Sequence, residues 1–343
     1  MNSITFKPKQ VVKRLLTALP PRAKDVVIGR YGLGDDAHKM TLESIGKTYK
    51  ITRERVRQIE SYAIGVIRKS EFYKKEQGVF DELEGYIKKM GGIVPEVELL
   101  TSLAKDKSTQ NYIHFLLVIG EAFRKEKEDD EFQHRWHVDE KLSLNVHEAL
   151  RKLYKGLKDD EILPESEMIG SFLEYVKEVN EEYKKDEILR RWLSMSKLID
   201  KNPLGEWGKT ESTSIRAKGI RDYAYLVIRK HGSPIHFREV AKAITRVFGK
   251  KAHVATTHNE LIKDSRFVLV GRGLYALSEW GYLTGIVREV IKGILEKHGP
   301  LSKKDIIDKV LKERYVKENT ILVNLQNTKH FKKDKEGRYA STK

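Results

Sequence analysis

Residues 41–69, TLESIGKTYKITRERVRQIESYAIGVIRK, hold two helical patterns with almost nothing between them. Leu42, Ile45 and Tyr49 recur at helical spacing, and after the tight connection Lys50-Ile51 so do Val56, Ile59, Ala63 and Val66/Ile67. Thr52 suits the start of the second helix, because its hydroxyl can accept from an orphan backbone N–H in the first turn. Upstream, Gly32, Gly34, Asp35 and Asp36 form a turn between helical patterns. A short helix, a tight turn and a second helix make a helix-turn-helix.

The face of that second helix opposite its apolar stripe carries Glu54, Arg57, Gln58 and Ser61, with Arg53 in the first turn and Arg55 on the flank. Such residues suit a DNA major groove. Arginine gives two parallel hydrogen bonds to guanine, glutamine pairs with the edge of adenine, and glutamate accepts from cytosine. Arginines not used on bases would grip phosphates and set register. A solvated helix face with ordinary charge pairs has the same composition.

Charge favours a polyanion as partner at both ends of the chain. The net of +16 over 343 residues divides into +9 for residues 1–78, −8 for 79–212 and +15 for 213–343. Cationic faces attract nucleic acid and release its counterions, whereas an acidic centre repels it. The absence of cysteine excludes disulfides, thiolate zinc sites and cysteine nucleophiles. With no membrane-length apolar run and no leader pattern, a soluble, cytoplasmic, nucleoid-associated protein is expected.

Three strings in order, RYGLGDD, TLESIG and TRERVRQIE, closely resemble region 4 of housekeeping bacterial sigma factors over roughly residues 19–69. The resemblance implies a reader of the promoter −35 element that also docks on the β-flap of RNA polymerase core. It puts Arg53, Glu54 and Gln58 at base-reading positions and Arg55 and Arg57 at flanking ones. Arg22, Arg30 and Glu43 fall where the family makes further promoter contacts, and Thr52 and Ser61 join the flanking or backbone set. In the family this block closes the chain, whereas here about twenty residues precede it. That leaves no room for the family's −10-melting segment, so the expectation is a sigma-like DNA reader and not a complete initiation factor.

The remaining chain is built from repeats. Residues 220–280 and 286–341 share an amphipathic helix ended by Lys-His-Gly (Lys230, His231, Gly232; Lys297, His298, Gly299). A small apolar step, two more helices and a hairpin with Gly-x-Tyr follow (Gly273, Tyr275; Gly337, Tyr339). Glycine after the last turn is the expected left-handed cap, and three helices with a hairpin make a winged helix. The pair resembles the HARE-type helix-turn-helix domain of the RNA polymerase delta subunit and of chromatin-linked proteins, implying interaction with nucleic acid or the transcription machinery. Residues 79–138 and 144–210 repeat the plan with less fidelity, around Ile93-Val94-Pro95 and Ile162-Leu163-Pro164, the latter with a wing around Asn202–Trp207. An irregular helical spacer is the alternative for these two, whose acidic balance points to protein and not to DNA. The expected fold is therefore mostly α. A helix-turn-helix domain (1–78) precedes winged-helix-like domains at 79–140, 141–212, 213–282 and 283–343.

Other patterns are weak. His134 and His137 lack a third metal ligand nearby, and the Asp35-Asp36, Asp129-Asp130 and Asp159-Asp160 pairs read as solvated turns. Gly32/Gly34 and Gly271/Gly273 lack the frame of a nucleotide fold. No enzyme activity, cofactor, metal, membrane or small-molecule substrate is expected. Possible backbone contacts on the C-terminal wings are Arg266, Arg272, Lys332, Lys333 and Arg338, with Lys329 and Lys335 beside them. The leading reading is a sigma-like transcription factor on promoter DNA. The alternative is a polymerase-associated adaptor, delta-like or anti-sigma-like, that uses the same block on the β-flap without sequence readout.

Overall fold

A computed structural model describes residues 4–34, 36–283 and 285–342, so Asp35 of the expected turn lies outside the described residues. The chain is mostly helical and forms two compact units, Met1–Asp200 with Trp207–Thr210, and Lys201–Glu206 with Glu211–Lys343. Among the described residues no helix is long and apolar enough to cross a membrane.

The first unit begins with α1 (Pro8–Leu15), α2 (Pro21–Tyr31), α3 (Leu42–Tyr49) and α4 (Arg53–Lys69). Pro8 and Pro21 open their helices, where the missing N–H costs nothing. Thr41 and Thr52 cap α3 and α4, their hydroxyls accepting from Ser44 N at 3.1 Å and Arg55 N at 3.2 Å. The sharp turn between α3 and α4 has two local causes. Lys50 takes a left-handed φ of 52°, and a Cβ on Gly46 would sit 2.6 Å from the Ile51 carbonyl oxygen. Only glycine allows the chain to return so closely. Val26, Ile45 and Val56 form a small core inside this three-helix arrangement, with Met40, Leu42, Tyr49, Ile51 and Ile59 around it.

The unit continues with α5 (Glu71–Lys75), α6 (Gln77–Lys89), β1 (Ile93–Pro95), α7 (Glu96–Leu103), α8 (Lys107–Ile119), β2 (Arg124–Glu126) and β3 (Arg135–His137). The strands pair antiparallel in the order β1-β3-β2. Next come α9 (Glu140–Gly156), α10 (Glu165–Tyr175), α11 (Asp186–Leu193), β4 (Ile199–Lys201) and β5 (Trp207–Lys209), and Leu163 bridges Trp207. One apolar core joins α1, α2 and α4 to α6 and α8. It includes Val12, Leu15, Val27, Tyr31 and Ile67 on one side and Leu83, Ile87, Ile113, Phe115 and Leu116 on the other. It runs without a break across residues 78 and 79, so the helix-turn-helix is packed onto the segment that follows it.

The second unit holds α12 (Ile220–His231), β6 (Ile235–His236), α13 (Phe237–Phe248), α14 (Val254–Lys263), β7 (Phe267–Gly271) and β8 (Leu274–Leu277), with strand order β6-β8-β7. It ends in α15 (Val287–His298), α16 (Lys303–Glu313), α17 (Glu318–Leu325), β9 (Phe331–Lys333) and β10 (Tyr339–Ser341). The same order of helix, apolar step, two helices and hairpin thus recurs four times among the described residues. Each time the step pairs with the outgoing strand of the hairpin: β1 with β3, Leu163 with Trp207, β6 with β8, and Leu301 with Tyr339. The expected left-handed glycine cap is present at Gly232 (φ 74°, ψ 5°). It is absent at Gly299, where φ is 76° but ψ is −165°. Pro300 follows, and a proline forces the preceding residue to an extended ψ.

Candidate nucleic-acid interface

Helix α4 separates its two faces cleanly. Val56, Ala63 and Ile67 are fully buried, while Arg53, Glu54, Arg55, Arg57, Gln58 and Ser61 are exposed. Ile59, expected in the stripe, is only half-buried and lies on its edge. The exposed face is organised by pairs one turn apart. Arg57 clasps Glu54 through Nε to Oε2 at 2.9 Å and Nη2 to Oε1 at 2.7 Å, and Arg55 Nη1 donates to Gln58 Oε1 at 3.0 Å. The Arg57 hydrogen bonds hold the Glu54 carboxyl below the usual carboxylate range, and those to Glu54 raise the guanidinium. The face therefore presents both donors and acceptors to solvent. Tyr62, one turn beyond Gln58, adds an aromatic ring that is 58% exposed. Sequence reasoning passed over it, although its only signal was an aromatic lying off the apolar stripe.

The other expected contacts divide by environment. Thr52 Oγ1 is occupied as the cap of α4. Arg22 is exposed at the start of α2, its guanidinium 5.9 Å over the Tyr49 ring, and so lies beside the end of α3. Glu43 in the first turn of α3 pairs with Lys47 at 3.1 Å. Arg30 points inward: Nη1 donates to the Met40 carbonyl at 3.3 Å and Nε lies 3.5 Å from Glu60, which also accepts from Tyr31 Oη at 2.7 Å.

On the C-terminal hairpins, Arg272 is exposed in the turn between β7 and β8, and Lys332 and Lys333 are exposed on β9. Lys329 and Lys335 are exposed on either side of that strand. Arg266 differs from the expectation of an open cation. It bridges Asp264 (2.7 Å) and Asp222 (3.0 Å), the latter buried, and stacks 5.3 Å over Tyr225. Two carboxylates already neutralise it, so it ties β7 to α12. Arg338 is paired with Asp334 and Glu336 at 3.0 and 2.6 Å. The exposed face of α14 carries Val254, Ala255, Thr256, Asn259, Ile262 and Lys263, and that of α17 carries Glu318, Asn319, Thr320 and Val323. Neither resembles the arginine-rich face of α4.

Asp36, Asp129, Asp130, Asp159 and Asp160 are exposed, and Asp129 and Asp159 also have structural partners. Asp129 Oδ1 accepts from the backbone of Glu131 and Phe132, and its Oδ2 from Arg135. Asp159 accepts from Lys209 at 2.8 Å. His134 accepts from Glu128 N, while buried His137 lies 3.2 Å from Glu126, so the two imidazoles serve different contacts.

Residues 15–69 match the family model described as sigma-70, region 4. RNA polymerase sigma factor SigA of a Nostoc species is 45% identical over 60 residues, covering 18% of this chain and 15% of the relative. RNA polymerase sigma factor RpoD of Helicobacter pylori is 47% identical over 64 residues, 19% of this chain and 10% of the relative. SigA of Clostridium acetobutylicum is 40% identical over 73 residues, 21% and 19% of the respective chains. The similarity thus spans less than a fifth of each of these relatives and falls on the helix-turn-helix.

Proposed function

We propose that this protein is a sigma-like, DNA-binding transcription factor that acts with RNA polymerase in initiation or its regulation, reading a −35-like promoter element through α4. In this reading Arg53, Glu54 and Gln58 contact base edges in the major groove. Arg22, Glu43, Thr52, Arg55, Arg57 and Ser61 flank them or position the backbone. The observation that carries the reading is the exposed face formed by Arg53, Glu54, Arg55, Arg57, Gln58 and Ser61, held in a capped helix-turn-helix within the stretch matching sigma-70 region 4. Binding would exchange the Glu54–Arg57 and Arg55–Gln58 pairs for contacts to bases and phosphates, which replaces polar partners without leaving any unmet.

The four helix–step–helix–helix–hairpin segments are read as winged helices, the last two of HARE type. Arg272, Lys332 and Lys333 remain as backbone contacts there, whereas Arg266 and Arg338 are already paired. The arginine-free faces of α14 and α17 favour a second reading for that region, contact with the polymerase, and the β-flap is the partner proposed for the region-4 block itself. Binding of the full chain to a duplex carrying a −35 element, against a scrambled duplex, tests the first reading. Retention of core polymerase without any DNA preference would support the adaptor reading instead.

A further inference from the structure

We propose that Lys39 and Lys107 form a phosphate-binding patch beside the helix-turn-helix, built jointly by the approach to α3 and by the start of α8, so that DNA contact continues along the backbone past α4. The proposal rests on the reading that α4 binds DNA, and it assigns a contact to a stretch whose net charge is negative.

The patch follows from how α8 is anchored. Asn111, 1% exposed, donates from Nδ2 to the Gly32 carbonyl at 3.1 Å and to the Ala37 carbonyl at 2.9 Å. This fixes the start of α8 against the turn that leads into α3. Lys107, the first residue of α8, stands one helical turn before Asn111 and so shares its side of the helix. Lys39 stands two residues beyond Ala37 and two before Thr41, the cap of α3. In a helix-turn-helix the first helix crosses the sugar-phosphate backbone, which places Lys39 at that crossing. Lys125 of β2 stands nearby with its charge already met by Glu96. Its Nζ is 3.5 Å from His114 Nε2, and His114 lies one turn after Asn111 on α8.

The charges there are not balanced. Glu60 is engaged by Arg30, and Glu96 by Lys125 at 2.5 Å. Asp106 caps α8 through Thr109 N at 2.8 Å. Lys39 and Lys107 are exposed, and neither has an ion-pair partner among the described residues. Lys39 is held below the usual lysine range, first by desolvation of its amine and then by the positive charge of Lys107, with Glu96 opposing and Lys125 and Arg30 adding to it. Beneath the patch, burial pushes His114 down to about 3, so its ring adds no further charge near neutral pH. Unpaired like charges at close quarters repel, and a row of phosphates relieves that repulsion while releasing its own counterions. The acidic total of residues 79–212 hides this, because acids such as Glu128, Asp129 and Glu131 lie in the loop between β2 and β3 and pair with Lys197, Arg135 and Arg151.

The test is the salt dependence of binding by the full chain, measured by fluorescence anisotropy on a preferred duplex and on a scrambled one. Each phosphate contact contributes about 0.9 to the slope of log K against log salt. The double variant Lys39→Ala/Lys107→Ala should flatten the slope by about 1.8 and weaken both duplexes equally, leaving their ratio unchanged. Lys39→Arg/Lys107→Arg should restore the slope. Both lysines are exposed, so loss of fold does not confuse the result. An unchanged slope, or a loss confined to the preferred duplex, overturns the patch while leaving the α4 reading in place. Failure of the unaltered chain to bind either duplex would instead remove the α4 reading, and the patch with it.

Discussion

Tyr112 Oη donates a 2.6 Å hydrogen bond to the carbonyl of Leu33, and the bond is buried although 79 residues separate the two in sequence. Asn111 makes the neighbouring bonds to Gly32 and Ala37, and Arg68 at the end of α4 donates to the carbonyls of Val118 and Ile119 at 3.1 and 2.9 Å. The turn before α3 and the far end of α4 are thus both held by α8. The position of the DNA-facing surface is set by the segment after it as well as by its own small core.

Removing one of these bonds should be felt as stability. Tyr112→Phe leaves the buried Leu33 carbonyl without a donor, a loss of about 1–3 kcal/mol. Asn111→Leu orphans two carbonyls and should cost more. Urea unfolding of the full chain checks both, and the expected order is unaltered chain, Tyr112→Phe, Asn111→Leu. A Tyr112→Phe midpoint equal to that of the unaltered chain would mean that the bond holds nothing.

Acid should destabilise the first unit. His147 is pushed down to about 4, mainly by burial and then by the Arg135 guanidinium, whose Nε donates to its Nε2 at 2.7 Å. An imidazole in the unfolded chain takes its proton near 6.5. Between those values the unfolded chain holds more protons, so the stabilisation is complete above pH 6.5 and is lost as pH falls toward 4. The slope from this residue is no steeper than about 1.4 kcal/mol per pH unit. His114, lowered to about 3 by burial, acts in the same direction. Urea midpoints at pH 7, 6 and 5 should decline in that order, and a flat or rising series would contradict the buried neutral rings.

Much of the site was legible because it is local. Thr52 as cap, the Val56–Ala63–Ile67 stripe and the outward Arg53, Glu54, Arg57 and Gln58 all depend on spacing within one helix. The recurring order of helix, step, helices and hairpin was legible for the same reason. What could not be read was tertiary. No periodicity links Asn111 to Ala37, Arg266 shows its two carboxylates only when Asp222 and Asp264 are brought together, and a charge sum over 134 residues conceals where single lysines gather. At Gly299 the information was present in the next residue, Pro300, but the shared Lys-His-Gly string outweighed it.

Within the second unit, Arg314 is 3% exposed and donates from Nη2 to the carbonyls of Leu283 and Gly285, the latter at 2.9 Å. Desolvation lowers its pKa, and the adjacent Tyr315 N bonds the Val270 carbonyl at 2.7 Å. The end of α16 is therefore fastened both to the link before α15 and to β7. Arg314→Ala should cost about 2–4 kcal/mol by orphaning those carbonyls. Hydrogen exchange should show faster amides in α15–α17 with α1–α8 unchanged, and uniform protection across both sets would refute the role.

The most direct test of the central claim is base discrimination by the full chain. Affinities for a −35-element duplex and its scrambled counterpart, at one fixed salt concentration, are compared for the unaltered protein, Arg53→Ala and Gln58→Ala. Each substitution should cost about 1–3 kcal/mol on the preferred duplex and relax specificity at one position, with little change on the scrambled one. Equal affinity of the unaltered chain for both duplexes, or discrimination untouched by either substitution, would contradict reading by α4.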